Sequence, residues 1–66
     1  MQYKVEVDHP MAIAPPHGYT VPADCETEAR IKAFCLDNGF IANAILTHRG
    51  KRLVKMYTSI LEVSDA

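Results

Sequence analysis

Tyr3, Val5 and Val7 alternate with Lys4, Glu6 and Asp8 at the start of the chain. Strict period two predicts a half-buried strand over residues 2–8, with the tyrosine and the valines facing the core. The alternation stops at His9. Residues 9–24 hold all four prolines, Pro10, Pro15, Pro16 and Pro22, with Gly18 among them. Proline removes a backbone donor and fixes φ, so this stretch reads as a long loop. It is apolar for a loop, with Met11, Ala12, Ile13, Ala14, Tyr19 and Val21. Such a segment is expected to pack as a lid on the chain's own core or on a partner. Tyr19–Val21 is compatible with a short edge strand.

Residues 25–38 read as a helix. Asp24 is a suitable N-cap, Glu26 and Glu28 fall in the first turn where the macrodipole favours anions, and Asn38-Gly39 is a stop signal. At 3.6 residues per turn, Ile31, Phe34 and Cys35 form the main apolar stripe, and Ala29, Ala33 and Leu36 a weaker second one. Arg30 and Asp37 point away from the main stripe. Residues 40–63 then read as a hairpin. Phe40–Thr47 is an apolar strand, His48-Arg49-Gly50-Lys51 the turn, and 52–63 the return strand. Val54, Met56, Thr58 and Ile60 share one face of that strand and Leu53, Tyr57 and Leu61 the other, so period two leaves its register open. Residues 64–66 are expected to fray.

The predicted order is strand, proline-rich loop, helix, strand, strand. It makes one α+β domain over residues 1–66, a two-layer sandwich with one helix on a three-stranded mixed sheet. The second sheet face would be left open, with Leu53, Tyr57 and Leu61 on it, which favours a docking surface or a homodimer.

Composition narrows this further. The chain has 66 residues, 48% hydrophobic and 23% charged, with net charge −1. That is one domain's worth of chain, too apolar and too near neutrality for disorder. Apolar content of this size exceeds what one helix and one sheet face cover, so the surplus is expected under the loop or against a partner. No apolar run approaches the roughly 18 residues of a membrane span. The opening Met-Gln-Tyr-Lys-Val-Glu lacks the apolar region of a signal peptide. The near-neutral total conceals a segregation. Residues 1–28 hold Lys4 against Glu6, Asp8, Asp24, Glu26 and Glu28, residues 29–55 hold Arg30, Lys32, Arg49, Lys51, Arg52 and Lys55 against Asp37, and Glu62 and Asp65 follow. Such asymmetry bears on partners, not on fold.

Most chemistry is not expected here. Cys25, Cys35, His9, His17 and His48 fall in no metal-ligand spacing. Cys25 and Cys35 lie about 15 Å apart along one helix, too far for a shared zinc or a disulfide. Cys35 is read as a small buried hydrophobe, while Cys25, at a helix start, is open to a depressed pKa. Free thiols fit a reducing cytoplasm. His17 beside Tyr19 and Asp8 beside His9 can be drawn as acid–base pairs, but neither a nucleophile elbow nor a phosphate loop accompanies them. No catalytic residue, metal or cofactor is expected, and the chain reads as a non-enzyme.

Thr47-His48-Arg49-Gly50-Lys51-Arg52-Leu53-Val54-Lys55 is the sharpest local feature, a cluster of cations at a predicted hairpin tip. Arginine suits bidentate contact with phosphate or carboxylate. Against specific nucleic-acid binding stand the net charge and the lack of a recognition helix. Gly50-Lys51-Arg52 followed by Leu53-Val54, in the order strand, helix, hairpin, resembles small phage-encoded inhibitors of host machinery. It is similar in layout to certain short anti-CRISPR proteins that block the type I surveillance complex. The resemblance covers the helix and hairpin and not the proline-rich loop. It implies a non-enzymatic binder that uses Arg49, Lys51, Arg52 and Lys55 to occupy a surface that normally takes nucleic acid. The expectation is therefore a small cytoplasmic interaction module that engages a host protein or nucleoprotein complex. Arg49, Lys51, Arg52 and Lys55 would supply attraction, and exposed Tyr57 and Met11 the apolar centre. Direct nucleic-acid binding and a structural homodimer are the alternatives.

Overall fold

The computed structural model describes residues 1–8, 15–39 and 48–65. Strand β1 is Gln2–Val7, and its alternation is as the sequence predicts: Tyr3, Val5 and Val7 are buried, and Lys4 is exposed. Strand β2, His17–Pro22, runs antiparallel beside it, with Val5 opposite Tyr19 and Tyr3 opposite Val21. The expected edge strand at Tyr19–Val21 is thus present and longer. Pro22 is accommodated because it ends an edge strand. The remainder of the expected lid, including Met11, lies outside the described residues.

Helix α1 spans Glu26–Asn38. Its cap is Cys25, not Asp24, and no side chain closes it. Instead Glu28 reaches back and accepts the Asp24 N–H at 2.9 Å. The bond reaches one residue beyond the cap, so it ties the chain entering α1 to its first turn and is not a capping box. The far end follows the stop signal: Gly39 has φ 73°, and its N–H donates to the Cys35 carbonyl at 2.8 Å.

The face that α1 turns to the sheet is the weaker stripe, not the main one. Ala29 and Ala33 are fully buried against Tyr3, Val5, Val7, Val21 and Ala23, while Ile31, Phe34 and Cys35 are half-buried and Leu36 is 62% exposed. Two alanines let the helix backbone sit close over a sheet whose valines already fill the layer. The larger Phe34 packs on the flank of that core.

Residues 48–57 are the main correction. The predicted turn and the first half of the return strand form helix α2, His48–Tyr57, and strand β3 starts only at Thr58, running to Ser64. Gly50, Val54 and Tyr57 recur at helical spacing and turn inward, Val54 being buried. Arginine, lysine, leucine and methionine are all good helix formers, and one interior glycine costs only about 1 kcal/mol. β3 pairs antiparallel with β1, with Val7 opposite Thr58 and Tyr3 opposite Val63. Ser64 pairs with Gln2 instead of fraying. A bulge between Lys4 and Val5 leaves Leu61 as the extra residue.

The fold class is α+β as predicted, but the sheet is wholly antiparallel in the order β2-β1-β3, not mixed. The strand expected at 40–47 lies outside the described residues. α1 lies across all three strands, and α2 packs on α1 and on the start of β3. Nor is the outer sheet face the apolar surface expected. Leu61 sits there beside Lys4, Gly18 and Thr20, with a Lys4–Glu62 ion pair at 3.6 Å, whereas Leu53 and Tyr57 belong to α2.

Candidate functional site: the cationic face of helix α2

Arg49, Lys51, Arg52 and Lys55 are all exposed on α2, and the helix carries no acidic residue. At 3.6 residues per turn, Lys51, Lys55, Arg52, Met56 and Arg49 follow one another round an arc of about 160°. Gly50, Val54 and Tyr57 take the opposite side. Two apolar side chains border the cations: Met56 is 66% exposed, and Leu53, at the edge of the arc, is 40% exposed.

The pairing of the charges separates this face from the rest of the molecule. Lys4 pairs with Glu62, Arg30 with Glu26, and Lys32 with Glu28. Among the described residues, none of the four α2 cations forms an ion pair. Four like charges on one short helix repel each other. Their field falls off over about 10 Å at 0.1 M salt, so a ligand meets it close to the surface.

What seats the helix is a clamp from α1. The Arg30 side chain is 19% exposed, and its guanidinium uses both edges. Nε and Nη2 donate to Glu26 Oε1 at 3.1 and 2.8 Å, while Nη1 donates to the Thr58 carbonyl and to Thr58 Oγ1. Thr58 Oγ1 in turn donates to the Val54 carbonyl in the last turn of α2. Buried Thr58 is therefore the pivot between α2 and β3, and Arg30 ties that pivot to α1. The sequence reading, which pointed Arg30 away from the core stripe, missed this role.

Between the two helices runs a groove of about 440 Å³. Ile31 and Val54 are its apolar floor, Lys51 and Lys55 line the α2 side, and Glu26, Thr27 and Arg30 the α1 side. Ile31 was expected against the sheet; it serves this groove instead.

A second polar cluster lies at the other end of α1. Tyr19 OH donates to Asp37 Oδ1 at 2.6 Å, and His17 Nδ1 lies 2.7 Å from the same oxygen. The Asp37 side chain is 1% exposed. A carboxylate in a last helical turn opposes the macrodipole, and these donors from β2 offset that. The hydrogen bond to Asp37, with some burial and the nearby negative charge, raises the Tyr19 pKa. The raised value makes Tyr19 a weaker acid and suits it to a lasting structural donor. His17 and Tyr19, two apart on a strand, share a face; only the strand assignment makes that visible.

The other expected site residues divide. Tyr57 is half-buried on the inner side of α2, where its carbonyl accepts the Asp8 N–H at 2.8 Å, so it is not part of the cationic face. Met11 lies outside the described residues. Cys25 is exposed and free, and burial raises the pKa of the half-buried Cys35 thiol. Among the described residues, no group of three or more His, Cys, Asp or Glu is placed to hold a metal, and no helix is long and apolar enough to cross a membrane. No family model, curated protein or solved structure matches this chain.

Proposed function

We propose that this chain is a non-enzymatic interaction module that presents the cationic face of α2 to an acidic protein surface. The observation that carries the reading is the division of charge. Every lysine and arginine outside α2 is paired, and the four on α2 are exposed and, among the described residues, without an ion pair. Charges without an ion-pair partner are available to steer and orient a partner. Met56 and Leu53 beside the cations favour a protein partner, since exposed methionine and arginine together are typical of interface centres and phosphate contact needs neither apolar group. The free thiols fit a cytoplasmic setting.

This differs from the role implied by the likeness to phage inhibitors. The hairpin that carried that likeness is a helix. A surface that normally takes nucleic acid is itself cationic and would repel α2. An inhibitory role would therefore have to act on an acidic surface. Direct binding of nucleic acid is the second reading, favoured by the absence of any acid from α2.

The test is affinity capture from source-cell lysate, with and without nuclease, using the full chain beside an Arg49→Glu, Lys51→Glu, Arg52→Glu triple variant. The expected result is nuclease-resistant capture of an acidic protein that the triple variant loses while keeping its circular dichroism and thermal transition. Capture that survives in the folded variant rejects the reading. Capture that nuclease abolishes, and that weakens steeply as salt rises, replaces it with the nucleic-acid reading.

A further inference from the structure

The groove between α1 and α2 adds a specific seat to the diffuse attraction of the cationic face. Its floor is apolar, with Val54 buried and Ile31 half-buried. Its charge is one-sided. On the α1 wall, Glu26 and Arg30 neutralise one another through two hydrogen bonds to a single carboxylate oxygen. On the α2 wall, Lys51 and Lys55 stand one helical turn apart, and among the described residues neither has an ionised partner. At about 440 Å³ the groove has the volume of a small-ligand site, enough for a few residues of extended chain and too little for a packed helix.

We infer that this groove receives an extended acid–apolar–acid segment of the partner protein. Side chains four apart on a helix have Cβ atoms about 5–6 Å apart. Acids two apart on an extended chain are spaced about 6.6 Å and point the same way, while the residue between them points to the opposite side. With the two carboxylates on Lys51 and Lys55, the apolar side chain between them turns away from the α2 wall and across the groove, where Ile31 of α1 is the apolar lining it meets. The lysines give attraction and register; the floor gives selectivity for an apolar residue over a polar one. This rests on the reading of α2 as a face for acidic protein, and it adds the shape of the segment recognised.

The experiment is a titration of the isotopically labelled full chain, followed by backbone amide shifts, with two blocked peptides. One is acetyl-Gly-Asp-Leu-Asp-Gly-amide, the other the same peptide with serine for leucine. The expected result is saturable shifts at Thr27, Ile31, Lys51, Val54 and Lys55 with the leucine peptide, and binding about tenfold weaker with the serine peptide, the loss that follows from leaving the floor uncovered. Equal binding of both peptides, with shifts confined to Arg49, Arg52 and Met56, overturns the groove and leaves the cationic-face reading standing. No shift with either peptide at millimolar concentration overturns the groove as well. If a mixed-sequence DNA duplex then shifts the same α2 amides, the protein-partner reading falls with it.

Discussion

The two helices treat charge in opposite ways. α1 carries acids and bases together and pairs them in place, Glu26 with Arg30 and Glu28 with Lys32, while Asp37 is held by hydrogen-bonding side chains of β2, Tyr19 and His17. Its cations also work for the fold, Arg30 on Thr58 and Lys32 on the Pro22 carbonyl at 2.6 Å. α2 carries bases alone and, among the described residues, pairs none of them. The two are also held differently. α1 lies across three strands on two buried alanines, while α2 rests on α1 and on the start of β3 through one buried valine and a polar clamp. A helix whose charges are satisfied belongs to the core. A helix with unpaired like charges and a narrow attachment is the one on which the proposed interaction face rests.

The attachment is the place to break that contrast most strongly. Val54 is 2% exposed, so Val54→Asp buries an unpaired carboxylate and is expected to cost about 3–5 kcal/mol. A domain of this length has roughly 3–10 kcal/mol in all. Urea unfolding should show the midpoint falling most of the way to zero, with α2 losing its amide protection first. An unchanged midpoint would mean that α2 does not depend on its seat. Arg30→Met comes next. It keeps the aliphatic packing but leaves the Thr58 carbonyl without its charged donor, and about 2 kcal/mol is expected to go. Arg30→Lys should recover only part of this, because one ammonium cannot serve both Glu26 and Thr58 in the fork geometry.

Whether a residue's role was legible in the sequence followed from how local its signal was. β1 was legible because Tyr3, Val5 and Val7 alternate without exception, and the end of α1 because Asn38-Gly39 needs no tertiary context. α2 was not. Leu53, Val54, Met56 and Tyr57 put apolar residues on both faces of a strand, and Gly50 among cations imitates a hairpin tip. The same residues fit a helix, where Gly50, Val54 and Tyr57 fall on one side, and the high helix propensity of the arginines and lysines was the signal left unused. The buried stripe of α1 was misjudged by weighing side-chain size, whereas a helix lying close on a sheet selects alanines. The cations Arg49, Lys51, Arg52 and Lys55 could be named from sequence as a cluster. Their groove could not, since Thr27 and Ile31 join Val54 only when α2 is helical and the Arg30–Thr58 clamp brings it alongside. The pairing of His17 and Tyr19 with Asp37 was hidden because prolines masked the period-two pattern of β2.

Smaller effects separate the satisfied charges by pH. The Glu28 pKa is lowered, first by the Asp24 backbone N–H it accepts and then by its hydrogen bond from Lys32. A depressed folded pKa means that this contribution is complete above the unfolded glutamate range, about 4.3, and is lost as pH falls through the folded value. Tyr19 is the mirror case. Its folded pKa is raised, so its contribution is complete below about 10 and is lost as pH rises through the higher folded value. Urea midpoints across pH should therefore show a shallower acid limb in Glu28→Gln and a shallower alkaline limb in Tyr19→Phe. Unaltered limbs would show that these bonds are not maintained in solution.

The smallest expected change in stability concerns the cationic face itself. Replacing Arg49, Lys51, Arg52 and Lys55 together with glutamine removes four charges and keeps a similar helix propensity on a somewhat shorter polar side chain. On α1 a comparable neutralisation would strip ion pairs and the Arg30 clamp. On α2 it removes mutual repulsion and, against that, the favourable place of Lys55 in the last turn, so the urea midpoint should move by no more than about 0.5 kcal/mol equivalent. Salt should screen the repulsion in the wild-type chain, raising stability slightly, and should do less to the glutamine variant. A marked loss of stability in that variant would show that the cations hold the fold together after all, and α2 would then be a second α1. A null effect on folding, set beside lost capture of the partner, is the combination that a helix kept for an outside surface must show.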